Sequence, residues 1–337
     1  MKIAWAVNRE VLRDSSAYGY TSASVHLAAA LGARSDVELD DDADTVVWFC
    51  HARNFHPERL PGRHHVWFTM YELDPPPPEF GVASRRADAI VVPSAYCAKL
   101  FRPFFDPSKP IVVSPLGFDP GVWREPARPR FPLRGEPFTF LYVGDRNDRK
   151  GWHILMEAWA EAFDNVGHAR LVMKLSTTGT DRVRIARHNT VVDGRDLPIA
   201  DLRSLYDKAH AFVFPSLGEG WGLTALEAAA CGLPIVATDS GGVMEFLDPR
   251  QTWMVPARRH PLRTDVTWGV SYGKRCSATD LALRMRDVVQ NYGCALKMAR
   301  RQAAAVRGRF TWAHAADALV GHLGALGFGR DRTQRAA

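Results

Sequence analysis

The residues best suited to chemistry lie in one glycine-rich stretch, FPSLGEGWGLTALEAAACGLPIVATDSGGVMEF, at positions 214–246. Its pattern predicts a strand that ends at Pro215, then a loop, then a helix that starts near Leu223. Backbone N–H groups at a helix start have no partner within the helix, and the helix dipole is positive there. Gly220 and Gly222 carry no side chain that would keep a ligand away from the backbone. The stretch therefore predicts an anion site suited to a diphosphate.

Two glutamates flank this predicted anion site. Glu219 lies in the loop, and Glu227 lies about one turn into the helix. Because a carboxylate accepts hydrogen bonds from two neighbouring hydroxyls, the pair can hold hydroxyls at opposite ends of a nucleotide sugar. The spacing alone leaves a second interpretation open, in which Glu227 only interacts with the helix dipole and Glu219 is a solvated loop charge.

The rest of the chain alternates between short apolar runs and segments of helical periodicity. Predicted strands cover 2–7, 45–50, 65–70, 89–94, 110–117, 138–144, 169–176, 189–194, 211–216 and 234–239, and predicted helices cover 22–33, 95–105, 151–163, 201–209, 223–232 and 278–291. Such alternation indicates parallel sheets with right-handed crossovers. Residues 119–137 contain five prolines and interrupt the pattern, which is typical of a linker. We therefore expect an α/β protein with two Rossmann-like domains that face a cleft.

Length and composition agree with a folded protein of two domains. The chain has 337 residues, of which 46% are hydrophobic and 24% charged, whereas single cores stop growing near about 250–300 residues. A protein with a net charge of +6 can bind phosphates, nucleic acid or an anionic membrane surface. Only 8 of the 43 basic residues are lysines, however, so the excess of arginine also fits the coding bias of a GC-rich genome. No apolar run can span a bilayer, and no signal peptide or zinc-type cysteine spacing is present. We expect a cytoplasmic protein, free or peripheral to the membrane.

The segment GEGWGLTALEAAACGLPIVATDSGG resembles, nearly residue for residue, the signature of retaining GT-B glycosyltransferases of the large family 4. Other segments resemble the family in its order, namely YVGDRNDRKGWHILMEAW, VVDGRDLPIADLRSLYDKAHAFVFPS, ADAIVVPSAYCAKLF, VVSPLGFDP and RFTWAHAADAL. The resemblance implies the GT-B fold. It divides the chain into an acceptor domain at 1–125, a donor domain at 136–308 and a helix at 309–327 that crosses back to the first domain.

The resemblance also implies roles for the residues of the glycine-rich stretch. Glu227 is expected to bind the ribose hydroxyls of the donor, and Glu219 the hydroxyls of its sugar. The backbone amides of Gly222, Leu223 and Thr224 are expected to meet the β-phosphate. The nucleotide sugar would then be held along the start of one helix.

Three further positions are expected near the diphosphate. Lys150 keeps the family spacing from Gly144 and is expected to neutralise the diphosphate, with a solvated loop lysine as the alternative. Asp145 stands where the family usually has arginine, and Arg146, one place on, can substitute for it. Gly19, in the loop DSSAYGYTSAS, matches the glycine-rich loop of the family that approaches the diphosphate, although an ordinary turn explains it equally well.

The first domain departs from the family at two positions. Leu116 stands where the family often has histidine, in SPLGFD. The loop FTMYELDPPPP places Tyr71, Glu72 and Asp74 where the family often has another histidine near the reaction centre. We assign Glu72 to the catalytic residues, as a group that orients donor or acceptor, with loop capping as the alternative.

The function implied by the resemblance is transfer of a hexose from a UDP- or GDP-sugar to an acceptor, with retention at the anomeric carbon. Neither a metal nor a further cofactor is expected. Arginine and aromatic residues interleave at 257–275, which suits an anionic acceptor such as a lipid phosphate, a polysaccharide or modified DNA, or else a solvated insertion.

Two other classes remain open. One is a GT-B nucleotide-sugar epimerase, and the other is an inactive nucleotide-sugar-binding protein. A nicotinamide dehydrogenase is disfavoured because no GxGxxG follows either leading strand.

Overall fold

The computed structural model of this chain describes residues 1–6, 18–61, 63–126, 131–164, 166–176, 189–262 and 269–329. The chain forms two compact units. The first comprises Met1–Gly117, Arg263–Ser271 and Phe310–Ala337, and the second comprises Phe118–Leu262 and Tyr272–Arg309. Each unit has one six-stranded sheet, so the predicted α/β class with two sheets is confirmed. Within the described residues, no helix combines the length and apolar character that a membrane crossing requires.

The first unit has parallel strands in the order β2-β1-β3-β4-β5-β6. In chain order its elements are β1 (Lys2–Ala6), α1 (Tyr18–Gly32), β2 (Glu38–Leu39), β3 (Thr45–Phe49), β4 (His64–Phe68), α2 (Pro78–Arg86), β5 (Ala89–Val92), α3 (Ala95–Phe101) and β6 (Ile111–Val113). Every residue of β3 and β5 is buried, as expected for parallel strands covered on both faces.

The second unit has parallel strands in the order β12-β11-β10-β7-β8-β9. Its elements are β7 (Phe138–Asp145), α4 (Trp152–Phe163), β8 (Ala169–Ser176), β9 (Thr190–Asp193), α5 (Ile199–Lys208), β10 (Ala211–Phe214), α6 (Leu223–Ala230), β11 (Ile235–Thr238), β12 (Trp253–Val255), β13 (Ala257–Leu262), β14 (Ser271–Cys276), α7 (Ala278–Gln290) and α8 (Tyr292–Arg307). Strands β13 and β14 form a separate two-stranded sheet. The last helix, α9 (Trp312–Ala325), belongs to the first unit, where Trp312 stacks on His26 of α1.

The sheet of the second unit changes direction at its centre. From β7 the chain passes through α4 to its neighbour β8, whereas from β9 it crosses through α5 to β10, on the other side of β7. Phe140 of β7 packs on Trp159 of α4, and Phe212 of β10 stacks on Tyr206 of α5. The helices α4 and α5 therefore cover opposite faces. Ligands of open α/β sheets bind where the strand order reverses, at the carboxyl ends of the strands, which here means the ends of β7 and β10.

The structure corrects two predicted boundaries and one prediction about the linker. Helix α1 begins at Tyr18 instead of residue 22, so Gly19 lies in the first turn of a helix and not in a loop. The strand predicted at 110–117 covers only Ile111–Val113. Part of the predicted linker is packed against the folded protein, because Trp123 is 4% exposed and its ring contacts Tyr206 of the second unit.

Gly117 lies very close to the backbone at the start of α9, within the first unit. A Cβ atom at Gly117 would lie 2.4 Å from the carbonyl carbon of Thr311 and from the nitrogen of Trp312. Because backbone and not a flexible side chain must give way, we expect Gly117→Ala to lower the free energy of unfolding by about 2–4 kcal/mol.

Gly293 of α8 is the matched control, because nothing lies within 4 Å of a Cβ there. We expect Gly293→Ala to leave the stability unchanged or to raise it by up to about 1 kcal/mol. Urea unfolding of both variants measures the difference, and equal midpoints would contradict the packing described for Gly117.

Candidate functional site

The second unit brings two predicted site residues, Lys150 and Glu219, into direct contact. Lys150 Nζ donates to Glu219 Oε1 at 2.8 Å, and Ser216 Oγ donates to the same oxygen at 2.8 Å. Arg149 Nη1 lies 3.5 Å from it. Glu219 is only 5% exposed. The alternative interpretations of a solvated loop carboxylate and a solvated loop lysine are therefore wrong.

The electrostatic state of Glu219 follows from these neighbours. Burial acts to raise its pKa, but the charges of Lys150 and Arg149 outweigh burial and hold the pKa below its usual value. The hydrogen bonds from Lys150 and Ser216 act in the same direction. Glu219 is thus a buried carboxylate that stays ionised, with two cations beside it.

A short turn places Lys150 at the glycine-rich loop. Residues Asp148–Lys150 form one 3₁₀ turn that Asn147 caps by accepting a hydrogen bond from Lys150 N at 3.1 Å. Gly151 ends the turn with φ +70°, and a Cβ there would lie 2.0 Å from the carbonyl oxygen of Pro215. Only glycine allows the turn to approach the end of β10 this closely.

The backbone of the loop is fixed on three sides. Leu217 N donates to Arg149 O at 2.7 Å, and Leu217 O accepts from Lys274 N at 2.7 Å. Glu219 O accepts from Gly242 N at 2.7 Å. These bonds join the loop to the turn before α4, to β14 and to the SGG segment after β11, so Glu219 is held in place by backbone bonds as well as by charge.

The start of α6 has the features expected of an anion site. Gly222 is its N-cap, with φ +97°, and gives no side-chain cap. Within the described part of the chain, the amides of Gly222, Leu223 and Thr224 donate to no backbone acceptor. Since the dipole of α6 is positive at this end, these amides can donate to a phosphate oxygen.

Glu227 lies on the same helix, beyond the first turn. The first turn itself contains no acidic residue. The residue is half-buried with its carboxyl group enclosed by protein, and Tyr206 OH donates to its Oε2 at 3.2 Å. Burial raises the pKa of Glu227 to about 8, while the hydrogen bond from Tyr206 acts to lower it. The interpretation of Glu227 as a first-turn dipole residue is therefore wrong, and its partner Tyr206 was not found from the sequence.

The cation that lies beside Lys150 and Glu219 is Arg149, while the role predicted for Arg146 toward the diphosphate stays a prediction. Arg146 is exposed, and its guanidinium carbon lies 5.9 Å from the ring centroid of Trp152. Arg149 instead lies beside Glu219 and donates to the carbonyl oxygen of Gly218 at 2.7 Å. The only sequence signal for Arg149 is its place in the basic run next to Lys150.

Gly144 lies near the end of β7, beside Asp145, the last residue of that strand. A Cβ at Gly144 would lie 2.9 Å from Tyr142 OH, which itself points toward the carbonyl oxygen of Lys150 at 3.3 Å. Gly144 is therefore close to the turn that carries Lys150, and its contact with a phosphate stays a prediction.

Two predicted residues, Glu72 and Gly19, lie in the first unit. Gly19 is exposed, with open space where a Cβ would stand. Glu72 follows β4, is half-buried, and its carbonyl oxygen accepts from Tyr96 OH at 2.7 Å. Burial, together with the negative charge of Glu72, raises the pKa of nearby Tyr20. The roles assigned to Glu72 and Gly19 stay predictions.

The region around 257–275 is only partly described, since residues 263–268 lie outside the described ranges. In β13 the guanidinium of Arg259 stacks on Tyr272 of β14, at 3.4 Å from the ring centroid. Arg275 forms an ion pair with Glu157 of α4 at 3.5 Å. Among the described residues no group of three potential metal ligands lies close enough to hold an ion.

Comparison with known proteins decides the family. A family model described as "Family 4 Glycosyltransferase in conflict systems" matches residues 94–319, more than half of the chain. The chain belongs to this family. The family 4 resemblance seen in the sequence is thereby confirmed.

Individual relatives of this family 4 member agree. D-inositol 3-phosphate glycosyltransferase of Corynebacterium jeikeium is 26% identical over 217 residues, which cover 60% of this chain and 47% of that protein. Glycogen synthase of Mycobacterium tuberculosis is 29% identical over 244 residues, which cover 70% and 54%. The chain spans about half the length of these curated relatives.

The solved structure of Anabaena HepE in complex with UDP-glucose superposes with a TM-score of 0.66 at 15% identity. The match covers 96% of this chain and 100% of that one. At this identity the comparison shows a shared fold, and the GT-B class expected for the family is confirmed.

The buried ion pair can be tested by a double-mutant cycle on stability. Lys150→Met and Glu219→Gln should each destabilise the protein by about 2–4 kcal/mol, because each leaves a buried group without its main partner. The free energy of unfolding should fall less in the double variant than the two single losses added together. The difference, measured by urea unfolding, should give a coupling energy of about 1–3 kcal/mol. The exposed pair of Arg284 and Asp287, 3.2 Å apart on α7, is the control and should couple by less than about 1 kcal/mol. A coupling energy no larger than this control would contradict the buried pair.

Glu227 gives a prediction for stability against pH. Its pKa of about 8 in the folded protein lies above the value of about 4.3 expected for the unfolded chain. The folded protein therefore keeps a proton that the unfolded chain releases, so the free energy of unfolding falls as the pH rises through this window. Relative to the native protein, Glu227→Gln should gain stability from pH 5 to pH 8, reaching about 2–4 kcal/mol.

Urea unfolding at pH 5, 6, 7 and 8 measures this gain. Glu157→Gln, at a side chain 58% exposed on α4, is the control and should show no such trend. A constant difference between Glu227→Gln and the native protein at all four pH values would contradict the raised pKa.

Proposed function

We propose that this chain is a glycosyltransferase that moves a hexose from a nucleoside-diphosphate sugar to an acceptor, with retention of the anomeric configuration. The observation that carries the proposal is the placement of the buried Lys150–Glu219 pair beside the open start of α6, with Glu227 on the same helix. The sugar, the diphosphate and the ribose of a sugar nucleotide each have a candidate binding group there.

The diphosphate is assigned to the amides of Gly222, Leu223 and Thr224 together with Lys150. Two cations, Lys150 and Arg149, lie beside the carboxylate of Glu219, close to the start of α6. The positive end of the helix dipole lies at the same place. These groups together favour a ligand with the negative charge of a diphosphate.

The hydroxyl groups are assigned to the two glutamates. Glu219 stays ionised and is an acceptor for hydroxyls of the transferred sugar. Glu227, with its raised pKa, can both donate to and accept from the vicinal hydroxyls of the ribose, next to Tyr206 OH. In this assignment Glu219 binds the sugar and Glu227 binds the ribose, on opposite sides of the diphosphate.

The chemistry follows from these assignments. When the bond between the anomeric carbon and the diphosphate oxygen breaks, the electron pair leaves with the diphosphate. The acceptor hydroxyl forms the new bond to the anomeric carbon, and its proton passes to an oxygen of the departing diphosphate. Negative charge thus grows on the diphosphate in the transition state. Lys150 and the amides at the start of α6 stabilise this charge more strongly than that of the bound donor, which lowers the barrier.

The relatives support the class of substrate. The curated relatives are named for transfer to D-inositol 3-phosphate and for glycogen synthesis, and HepE was solved with UDP-glucose. We therefore propose a UDP- or GDP-sugar as donor. For the acceptor we propose a lipid, a glycan or modified nucleic acid, with a preference for anionic molecules because β13 and β14 carry four basic and no acidic side chains.

Single substitutions test the donor site. Glu227→Ala should weaken binding of the preferred nucleotide sugar by about 10-fold or more, because it removes a hydrogen-bonding carboxyl group. Lys150→Met should lower turnover by about 100-fold, more than it lowers donor affinity, because its charge acts mainly on the leaving diphosphate. Calorimetric titration gives the affinities, and product formation gives the rates.

Lys208→Met on α5 and Glu157→Gln on α4 are the matched controls, since both side chains are exposed. Folded site variants with native affinity and native rate would exclude this site. Product from donor alone would favour an epimerase, and donor binding without turnover on any acceptor would favour a binding protein. The configuration of the new linkage, read by NMR, tests retention.

A further inference from the structure

One buried cation of the second unit takes no part in the site described so far. Lys174 lies near the carboxyl end of β8 and is 8% exposed. Its Nζ donates to the backbone oxygen of Leu175 at 3.3 Å, and no carboxylate of the described residues lies within 4 Å of it. An ammonium group has three donors, and buried charges are normally paired. With respect to the described residues, Lys174 therefore has two donors available to a ligand.

The strand register shows on which face of the sheet this side chain lies. Lys174 is aligned with Val143 of β7 and with Asp193 of β9, and aligned residues of parallel strands point to the same face. Two residues before Val143, Leu141 is aligned with Phe212 of β10. Phe212 stacks on α5, so Lys174 lies on the face that α5 covers.

This is also the face of the proposed ribose site, because Tyr206 of α5 donates to Glu227. The diphosphate site at α6 follows β10, and β8 lies two strands away across β7. Neighbouring strands are about 4.8 Å apart, so the end of β8 lies about 10 Å from the end of β10. A nucleotide with its diphosphate at α6 and its ribose at Glu227 would have to extend only this far for its base to reach the end of β8, where Lys174 lies.

The neighbouring carboxylate does not satisfy Lys174. Asp193 accepts from Arg195 at its Nε, 3.0 Å, and its Nη2, 2.7 Å, and also from the Arg195 backbone nitrogen at 3.0 Å. These bonds lower the pKa of Asp193, and the charge of Lys174 acts in the same direction. Asp193 thus stays ionised and bound to Arg195. Its negative charge lies near Lys174, but it accepts no hydrogen bond from the Lys174 ammonium group.

We propose that Lys174 donates to an exocyclic carbonyl oxygen of the nucleobase and so selects uracil or guanine over cytosine and adenine. This inference rests on the proposed function of the donor site. Uracil and guanine present an oxygen where cytosine and adenine present an amino group, which is a donor. An ammonium cannot accept a hydrogen bond, so an amino group at this point sets donor against donor and leaves Lys174 without the acceptor that a carbonyl oxygen supplies.

The experiment is calorimetric titration of the full chain with UDP, GDP, CDP, ADP and ribose 5-diphosphate, which has no base. The native protein should bind UDP or GDP about 10–100-fold more tightly than CDP and ADP. Lys174→Met should lose most of this preference by weakening the preferred nucleotide alone, and ribose 5-diphosphate should bind with native affinity. Lys208→Met is the matched control and should keep the native preference.

Two further variants keep the test independent of the folding of Lys174→Met. Lys174→Arg keeps a donor-only cation and should retain the preference for UDP or GDP. Lys174→Gln offers both a donor and an acceptor and should narrow the difference between UDP and CDP.

The outcomes separate this inference from the proposed function. Equal weakening of UDP and ribose 5-diphosphate in Lys174→Met would assign Lys174 to the phosphates or to the fold, and an unchanged preference would show that it does not contact the base. Either result overturns the inference while the donor site stands. Failure of the proposed function gives a different pattern, in which the native protein binds none of the nucleotides or Glu227→Ala binds them normally.

Discussion

A carboxylate that has lost its water needs a counter-charge inside the protein, and Glu219 finds one in Lys150 and Arg149. The ion pair joins two segments that lie 69 residues apart in the chain. The surrounding backbone is arranged so that they can meet. Gly151 lets the 3₁₀ turn approach Pro215, and Gly242 lets the segment after β11 lie against the carbonyl oxygen of Gly220, where a Cβ would be 2.0 Å away.

The same arrangement explains why the start of α6 is available to a ligand. A helix start usually gains a side-chain cap, but Gly222 offers none, and the neighbouring cations belong to Glu219 through geometry that is fixed elsewhere. The positive end of the helix and the side chains of Lys150 and Arg149 therefore border the same region, where both favour a negatively charged ligand. Backbone hydrogen bonds to Arg149, Lys274 and Gly242 hold this region in place before a donor arrives. The entropic cost of ordering the loop on donor binding is therefore small.

The sequence predicted much of the fold, because the apolar strands and the glycine-rich loop are read from neighbouring residues. It could not predict the partners of the site residues, since Tyr206 and Glu227 meet only after α5 crosses the sheet. It also could not choose among the cations of the run RNDRK. The 3₁₀ turn begins only after Asn147, so Arg149 lies inside the turn and beside Glu219, whereas Arg146 lies outside the turn and over Trp152.

Helix α1 shows the same limit at a boundary. The family resemblance predicted a glycine-rich loop at Gly19, and glycine also has a low helix propensity. In the folded unit, Tyr20 OH accepts from Met70 N at 2.9 Å, and this contact across 50 residues favours an earlier helix start than local propensity does.

The raised pKa of Glu227 makes the proposed donor binding a proton-linked event. A carboxyl group that is largely protonated at neutral pH when the site has no ligand changes its proton occupancy if ribose hydroxyls prefer one of its two forms. The apparent heat of binding then contains the ionisation enthalpy of the buffer that takes up or supplies the proton. Titrations in buffers of different ionisation enthalpy would then give different apparent enthalpies of donor binding, and the loss of this difference in Glu227→Gln would assign the exchanged proton to Glu227.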